Sequence, residues 1–130
     1  MNSFISPLDH RIGLGRQGED AALQYLKSQG MTLIVRNWRC RLGELDLVMW
    51  DGTEIVFVEV KTRFATPQAR KYLFDTIDHR KQRKLRCLVE VFLRSLKSRA
   101  HPQHRLDVVG VLFDRKAREP VEVLHLRAAV

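Results

Sequence analysis

Four side chains in this sequence could do chemistry together: Glu19, Asp46, Glu59 and Lys61. Asp46 stands in Gly43-Glu44-Leu45-Asp46-Leu47-Val48-Met49-Trp50, and Glu59 and Lys61 stand in Ile55-Val56-Phe57-Val58-Glu59-Val60-Lys61-Thr62-Arg63. Both stretches are otherwise apolar, and charge buried among valines is costly unless it is paired or holds a metal. Two carboxylates on neighbouring strands can hold Mg²⁺ or Mn²⁺, with substrate oxygens completing an octahedral shell. A lysine two residues after the second carboxylate returns to the same face. There it can position or deprotonate an attacking water, or stabilise charge building on a phosphoryl group. Asp46, Glu59 and Lys61 are therefore candidate catalytic residues for phosphodiester hydrolysis. Asp46 and Glu59 are the candidate metal ligands, and Glu19 can add a carboxylate directly or through water. An acid followed by Glu-x-Lys is a weak pattern alone, and its weight here comes from phasing, apolar flanks and a basic surround.

The elements that must position these groups follow from periodicity. Residues from Gly15 to Gln29 read as a helix closed by Gly30. At about 100° per residue, Ala22, Leu23 and Leu26 form its inward stripe, with Glu19 in the middle. An acid in a first helical turn is equally explained by the helix dipole. Met31–Val35 reads as a short strand leading into a connection, Arg36-Asn37-Trp38-Arg39-Cys40-Arg41. That connection suits phosphate contact and base stacking, or else a tryptophan capping the core among solvated arginines. Alternation along the next strand places Leu45, Leu47 and Met49 opposite Glu44, Asp46 and Val48. Asp51-Gly52 marks a hairpin turn. On the following strand Ile55, Phe57, Glu59 and Lys61 share a face, so Asp46, Glu59 and Lys61 are expected on one face of one sheet. Residues 64–76 read as a loop, and a second helix is expected from Ile77 to Arg99, with Arg80, Lys81 and Lys84 in its basic N-terminal half. Arg105–Phe113 and Val121–Leu126 read as further strands, and both faces of the sheet need covering layers.

Composition sets the outer limits. The 130 residues suit one domain, with residues 1–12 as an N-terminal tail and 13–130 as a single folded unit. Lys plus Arg number 23 against 15 acids, and a net charge of +8 favours a polyanionic partner, nucleic acid first. A basic surface kept for solubility accounts for the charge equally well. No apolar run approaches the roughly 20 residues that span a bilayer, and the N-terminus does not read as a signal peptide. Cys40 and Cys87 are isolated and offer no disulfide framework. The cytoplasm is the expected compartment, with no membrane partner.

Gly15-x-x-Gly18-Glu19-x-x-Ala22, Arg36-Asn37, Gly43-Glu44-Leu45-Asp46-Leu47, Phe57-Val58-Glu59-Val60-Lys61-Thr62-Arg63, Lys81-Gln82-x-x-Leu85 and Arg105-Leu106-Asp107-Val108-Val109 together resemble the YraN-like family of small bacterial proteins. That family is similar to the PD-(D/E)xK, restriction-endonuclease-like superfamily and to archaeal Holliday-junction resolvases. The resemblance implies an α/β, restriction-endonuclease-like fold, a central mixed β-sheet flanked by helices in the order α-β-β-β-α-β-β. It also implies Mg²⁺- or Mn²⁺-dependent endodeoxyribonuclease chemistry. Asp46 and Glu59 match the metal-binding acids, Lys61 the motif lysine and Glu19 the helix-borne acid.

Three functions are therefore in play. The first is a metal-dependent DNA endonuclease, with branched or structured DNA as a candidate substrate and Arg36, Trp38, Arg39, Arg41, Arg63, Arg80, Lys81 and Lys84 contacting it. RNA is left open as a partner, and a homodimer is compatible with this reading. The second is a non-catalytic nucleic-acid-binding module of the same fold. The third is an interaction protein whose charged cluster is a structural ion-pair network.

Overall fold

The computed structural model describes residues 7–75, 77–97 and 102–130, with the side chains of 7–13 and 74 outside that description. Its elements are α1 (Pro7–Ser28), β1 (Thr32–Cys40), β2 (Gly43–Asp51), β3 (Glu54–Phe64), α2 (Ala69–Asp75), α3 (His79–Ser95), β4 (His104–Phe113) and β5 (Pro120–Leu126). The strands form one mixed sheet in the order β1-β2-β3-β4-β5. The first three make an antiparallel meander, β4 lies parallel to β3, and β5 returns antiparallel to β4. Parallel pairing requires the chain to cross back over the sheet, and α2 and α3 make that crossing.

Each face has its own core. Ala22, Leu23 and Leu26 of α1 pack on Leu47, Met49, Val56, Val58, Val109, Val111 and Phe113. On the other face Leu85, Leu88, Val89, Phe92 and Leu93 of α3 pack on Leu45, Val48, Ile55, Phe57, Leu106 and Val108. The central strands are apolar on both sides because both sides are covered. Gly30, at a φ of 92°, ends α1 as the C′ residue, with the Met31 amide donating to the Leu26 carbonyl. Asp78 caps α3 by accepting from the Lys81 amide at 2.9 Å.

Several boundaries differ from the periodicity reading. Helix α1 begins at Pro7, so the stretch expected as an irregular arm is helical from there, and residues 1–6 lie outside the description. Within the expected loop 64–76, Ala69 and Leu73 stand one helical turn apart and bury against Leu112, which is enough to hold the short α2. Helix α3 stops at Ser95 rather than Arg99, with Leu96 in an extended conformation; residues 98 and 99 are not described. The arginine-rich stretch after Val35 is no connection but the second half of β1, paired with β2 at Arg36, Trp38, Arg39 and Cys40.

Candidate metal centre

The site forms where the sheet opens. β2 and β3 pair from Asp51–Glu54 to Leu47–Val58, and the next step would set Asp46 opposite Glu59. Instead the ladder stops, and the Val60 amide donates to Oδ2 of Asp46 at 2.8 Å. A side-chain carboxylate thus takes the place of a backbone carbonyl in the sheet. Alternation also breaks here, since Leu45 joins the α3 face while Leu47 and Met49 join the α1 face. Strict same-face phasing of Asp46, Glu59 and Lys61 is therefore not how the acids meet. Asp46 turns toward Glu19 of α1, while Glu59, on the same side of its strand as Phe57, reaches Lys81 of α3 and still adjoins Asp46.

Helix α1 comes unusually close at this point. A Cβ at Gly18 would fall 1.9 Å from Oγ1 of Thr62 on β3, so only glycine allows the approach that carries Glu19 to the sheet. One carboxylate oxygen from each of Glu19, Glu44 and Asp46 lies within 4.8 Å of the others. Adjacent ligands of an octahedral Mg²⁺ at ~2.1 Å stand about 3 Å apart and opposite ones about 4.2 Å. Small side-chain rotations would therefore close these three around one ion, and hard carboxylate oxygens are the donors such an ion takes. The donor set fits.

The acids differ in what offsets their charge. Glu19 faces Arg36, whose Nε is 3.4 Å from Oε1, and Arg36 also holds Asp20 at 2.6 Å. Glu44 pairs with Arg39 at 2.6 Å, and buried Glu59 pairs with Lys81 at 3.8 Å. Among the described residues no lysine or arginine is in ion-pair contact with Asp46. Burial first, and the adjacent Glu59 second, push its carboxyl up to about 8, against the Val60 hydrogen bond that pulls the other way. Burial raises Glu19 as well, with the Asp46 charge adding to it and Asn37 and Arg36 opposing. Carboxylates gathered this closely, one of them without a cationic partner among the described residues, are what a divalent cation would neutralise.

Glu19, Asp46, Glu59, Lys61 and Arg63 line one cavity of about 660 Å³, so all four candidate catalytic residues are together. The candidate nucleic-acid contacts divide. Arg39, Arg41, Arg63, Arg80 and Lys84 present exposed side chains, and Lys84 lies over the β1–β2 turn at Gly43. Arg36 does not face outward, being engaged with Glu19, Asp20 and the Arg16 carbonyl. Trp38 meets the ring of Phe92 edge-to-face at 5.2 Å and belongs to the α3-side core. Lys81 turns inward to Glu59, joining the site rather than the outer rim.

Two polar features lie beyond the candidate residues that spacing and motif single out. Glu44 joins the carboxylate cluster, because the bend at Asp46 leaves both acids toward α1. The other is a second polar cluster around Asp107, which has no exposed surface. Arg105 Nε, His125 Nε2 and the Ala128 amide converge on its carboxylate at 3.0, 2.7 and 2.9 Å. Since a carboxylate only accepts, His125 Nε2 carries the proton, and Nδ1 can accept from the Tyr25 hydroxyl at 3.0 Å. Arg105 also reaches Asp51 and Glu54. Burial disfavours its charge, but these carboxylates outweigh burial and raise it above the ordinary arginine value. Arg-x-Asp at the head of an apolar strand was the available signal.

An α/β domain with a carboxylate cluster where two central strands part is thus the class that fold and site define. Residues 18–111 match the uncharacterised protein family UPF0102, and the chain belongs to that family, the one to which the YraN-like motifs pointed. A UPF0102 protein of Pelotomaculum thermopropionicum is 44% identical over 110 residues, covering 85% of this chain and 89% of the relative. One from Rhodococcus opacus is 40% identical over 124 residues, 92% of this chain and 98% of the relative. One from Desulforamulus reducens is 35% identical over 125 residues, 92% and 97% respectively. Among the described residues no helix is long and apolar enough to cross a membrane.

Proposed function

We propose that this protein is a divalent-metal-dependent endonuclease that hydrolyses phosphodiester bonds in DNA, with Mg²⁺ or Mn²⁺ held by Asp46 and Glu19 together with Glu44, and Glu59 adjoining them in the same cavity. The observation that carries this reading is Asp46 itself: an acid with no cationic partner among the described residues, close to Glu19 and Glu44, in a cavity it shares with Glu19, Glu59 and Lys61. A divalent cation bound there would supply Lewis-acid stabilisation of the phosphoryl oxygens and a water acidified toward neutral pH. The chain's own groups have separate tasks. Lys61 offers a cationic donor inside the cavity, able to orient a water or to meet charge on a phosphoryl oxygen. Lys81 holds Glu59 from α3. Arg63 at the cavity, and the exposed Arg39, Arg41, Arg80 and Lys84, supply positive charge for the phosphate backbone. The exposed basic residues also support a non-catalytic nucleic-acid-binding module as the second reading.

The test is a cleavage screen over linear, flapped and four-way DNA with Mg²⁺ or Mn²⁺, beside a salt-dependent binding assay. Cutting that Asp46→Ala and Glu59→Ala each abolish, with DNA binding retained, is expected. Metal-independent cutting, or cutting that survives both substitutions, overturns the assignment. Salt-sensitive binding without any cutting selects the binding module.

A further inference from the structure

Asn37 is a non-glycine residue at a φ of 54°, in the interior of β1. Its neighbours Arg36 and Trp38 pair with Leu47 and Leu45, which sets Asn37 across from Asp46. No turn demands the left-handed conformation there, since the strand continues on both sides to Cys40 and back to Thr32. Asparagine tolerates that region better than most residues, but inside a strand it is still an unfavourable state that the surroundings must hold.

The conformation has one visible product. It aims the side-chain amide of Asn37 into the acid cluster, where Nδ2 donates to Oε1 of Glu19 at 3.1 Å and reaches Oε1 of Glu44 at 3.5 Å. Only this amide orientation fits, because Oδ1 in its place would oppose carboxylate oxygens that cannot donate. Glu19 comes from α1 and Glu44 from β2, and a single neutral donor ties the two together. A lysine at this position would also gather the acids, but it would cancel the negative charge that a cation requires. An amide aligns them and leaves the charge in place.

We propose that Asn37 is a positioning residue that holds the carboxylates of Glu19 and Glu44 beside Asp46 for a divalent cation, its left-handed backbone being the cost of that placement. The inference rests on the metal-site reading above. Residues that orient metal ligands from the next layer out typically govern affinity by about 10- to 100-fold.

Mn²⁺ titration of the full chain tests this, followed by the paramagnetic signal of free Mn²⁺, with thermal unfolding of the metal-free protein measured alongside. Asn37→Gly keeps the backbone conformation free of strain and removes only the amide. It is expected to fold with an unchanged or higher Tm and to bind Mn²⁺ about tenfold more weakly. Asn37→Ala loses the amide but restores the strain, so it should show the same loss of affinity with a lower Tm. Asn37→Gly that binds Mn²⁺ as the native chain does would overturn the inference while leaving the metal site intact. A native chain that binds no Mn²⁺ would overturn both.

Discussion

Asp46, part-buried on β2, and Asp107, fully buried on β4, are two acids of one sheet, and the sheet treats them in opposite ways. Asp107 is surrounded by donors: a guanidinium, an imidazole and a backbone amide, with Tyr25 anchoring the imidazole from α1. Among the described residues Asp46 accepts from one backbone amide and is otherwise bordered by other acids. The first arrangement is self-sufficient and ties β5 and the residues after it to β4 and α1. The second is stable only if something removes or neutralises charge, whether a proton or a cation. A fully partnered buried charge is architecture; a buried charge short of partners marks the place where a ligand is expected.

The largest effect is expected from breaking the self-sufficient cluster. Asp107→Ala leaves Arg105 and His125 buried without their shared acceptor and should lower unfolding stability by about 3 kcal/mol or more in urea titration. It should leave Mn²⁺ affinity within a factor of about two, because the folded fraction keeps the other cluster intact. A loss below about 1 kcal/mol would mean that Asp107 is not a structural centre.

Asp46 should behave in the reverse sense. Its carboxyl is pushed up to about 8 in the fold by burial and by Glu59, against an ordinary value of 3.8. The folded state therefore holds this proton more tightly than the unfolded chain does. That contribution to stability is complete below the ordinary carboxylate range and is lost as pH rises through about 8. Metal-free protein should lose stability between pH 5 and 9, by at most about 1.4 kcal/mol per pH unit for this one proton. Asp46→Asn should flatten that dependence and leave the variant the more stable of the two at pH 9. Equal slopes in urea titrations of native and variant would show that Asp46 is not the titrating acid.

The smallest effect concerns the rim. The Arg39 side chain is 77% exposed, and its pair with Glu44 is open to water. Arg39→Ala should change stability by less than about 0.5 kcal/mol. It should nevertheless reduce the salt dependence of DNA binding if this arginine meets a phosphate.

Much of this contrast could be read from the chain itself, and the remainder has physical reasons for being hidden. The β2–β3 hairpin declared itself through two apolar runs around Asp51-Gly52, and acids inside apolar runs made Asp46 and Glu59 conspicuous. Glu19 was legible because it interrupts the inward stripe of α1. What period-two alternation cannot show is a strand that breaks its own alternation. Leu45 and Leu47 face opposite cores, and the bend between them brings Glu44 to the cluster and sets Asp46 in place of a ladder carbonyl. Asn37 was equally opaque, since its left-handed φ is a property of the assembled site and not of its neighbours in sequence. Trp38 admitted two explanations until Phe92, far along the chain, supplied its ring partner. His125 gave no local hint, as its partners Asp107 and Tyr25 come from other elements.

Proton release on metal binding tests the central claim, that Asp46 and its neighbours are arranged to receive a divalent cation, most directly. Burial and the adjacent Glu59 push the Asp46 carboxyl up to about 8, so a cation binding there near neutral pH competes with a proton and is expected to expel up to about one. Calorimetric titration with Mn²⁺ in two buffers of different ionisation heat measures that number. The account predicts binding whose heat depends on the buffer in the native chain, and weaker binding without that dependence in Asp46→Asn. Buffer-independent heats in the native chain, or identical titrations of the two proteins, would contradict it.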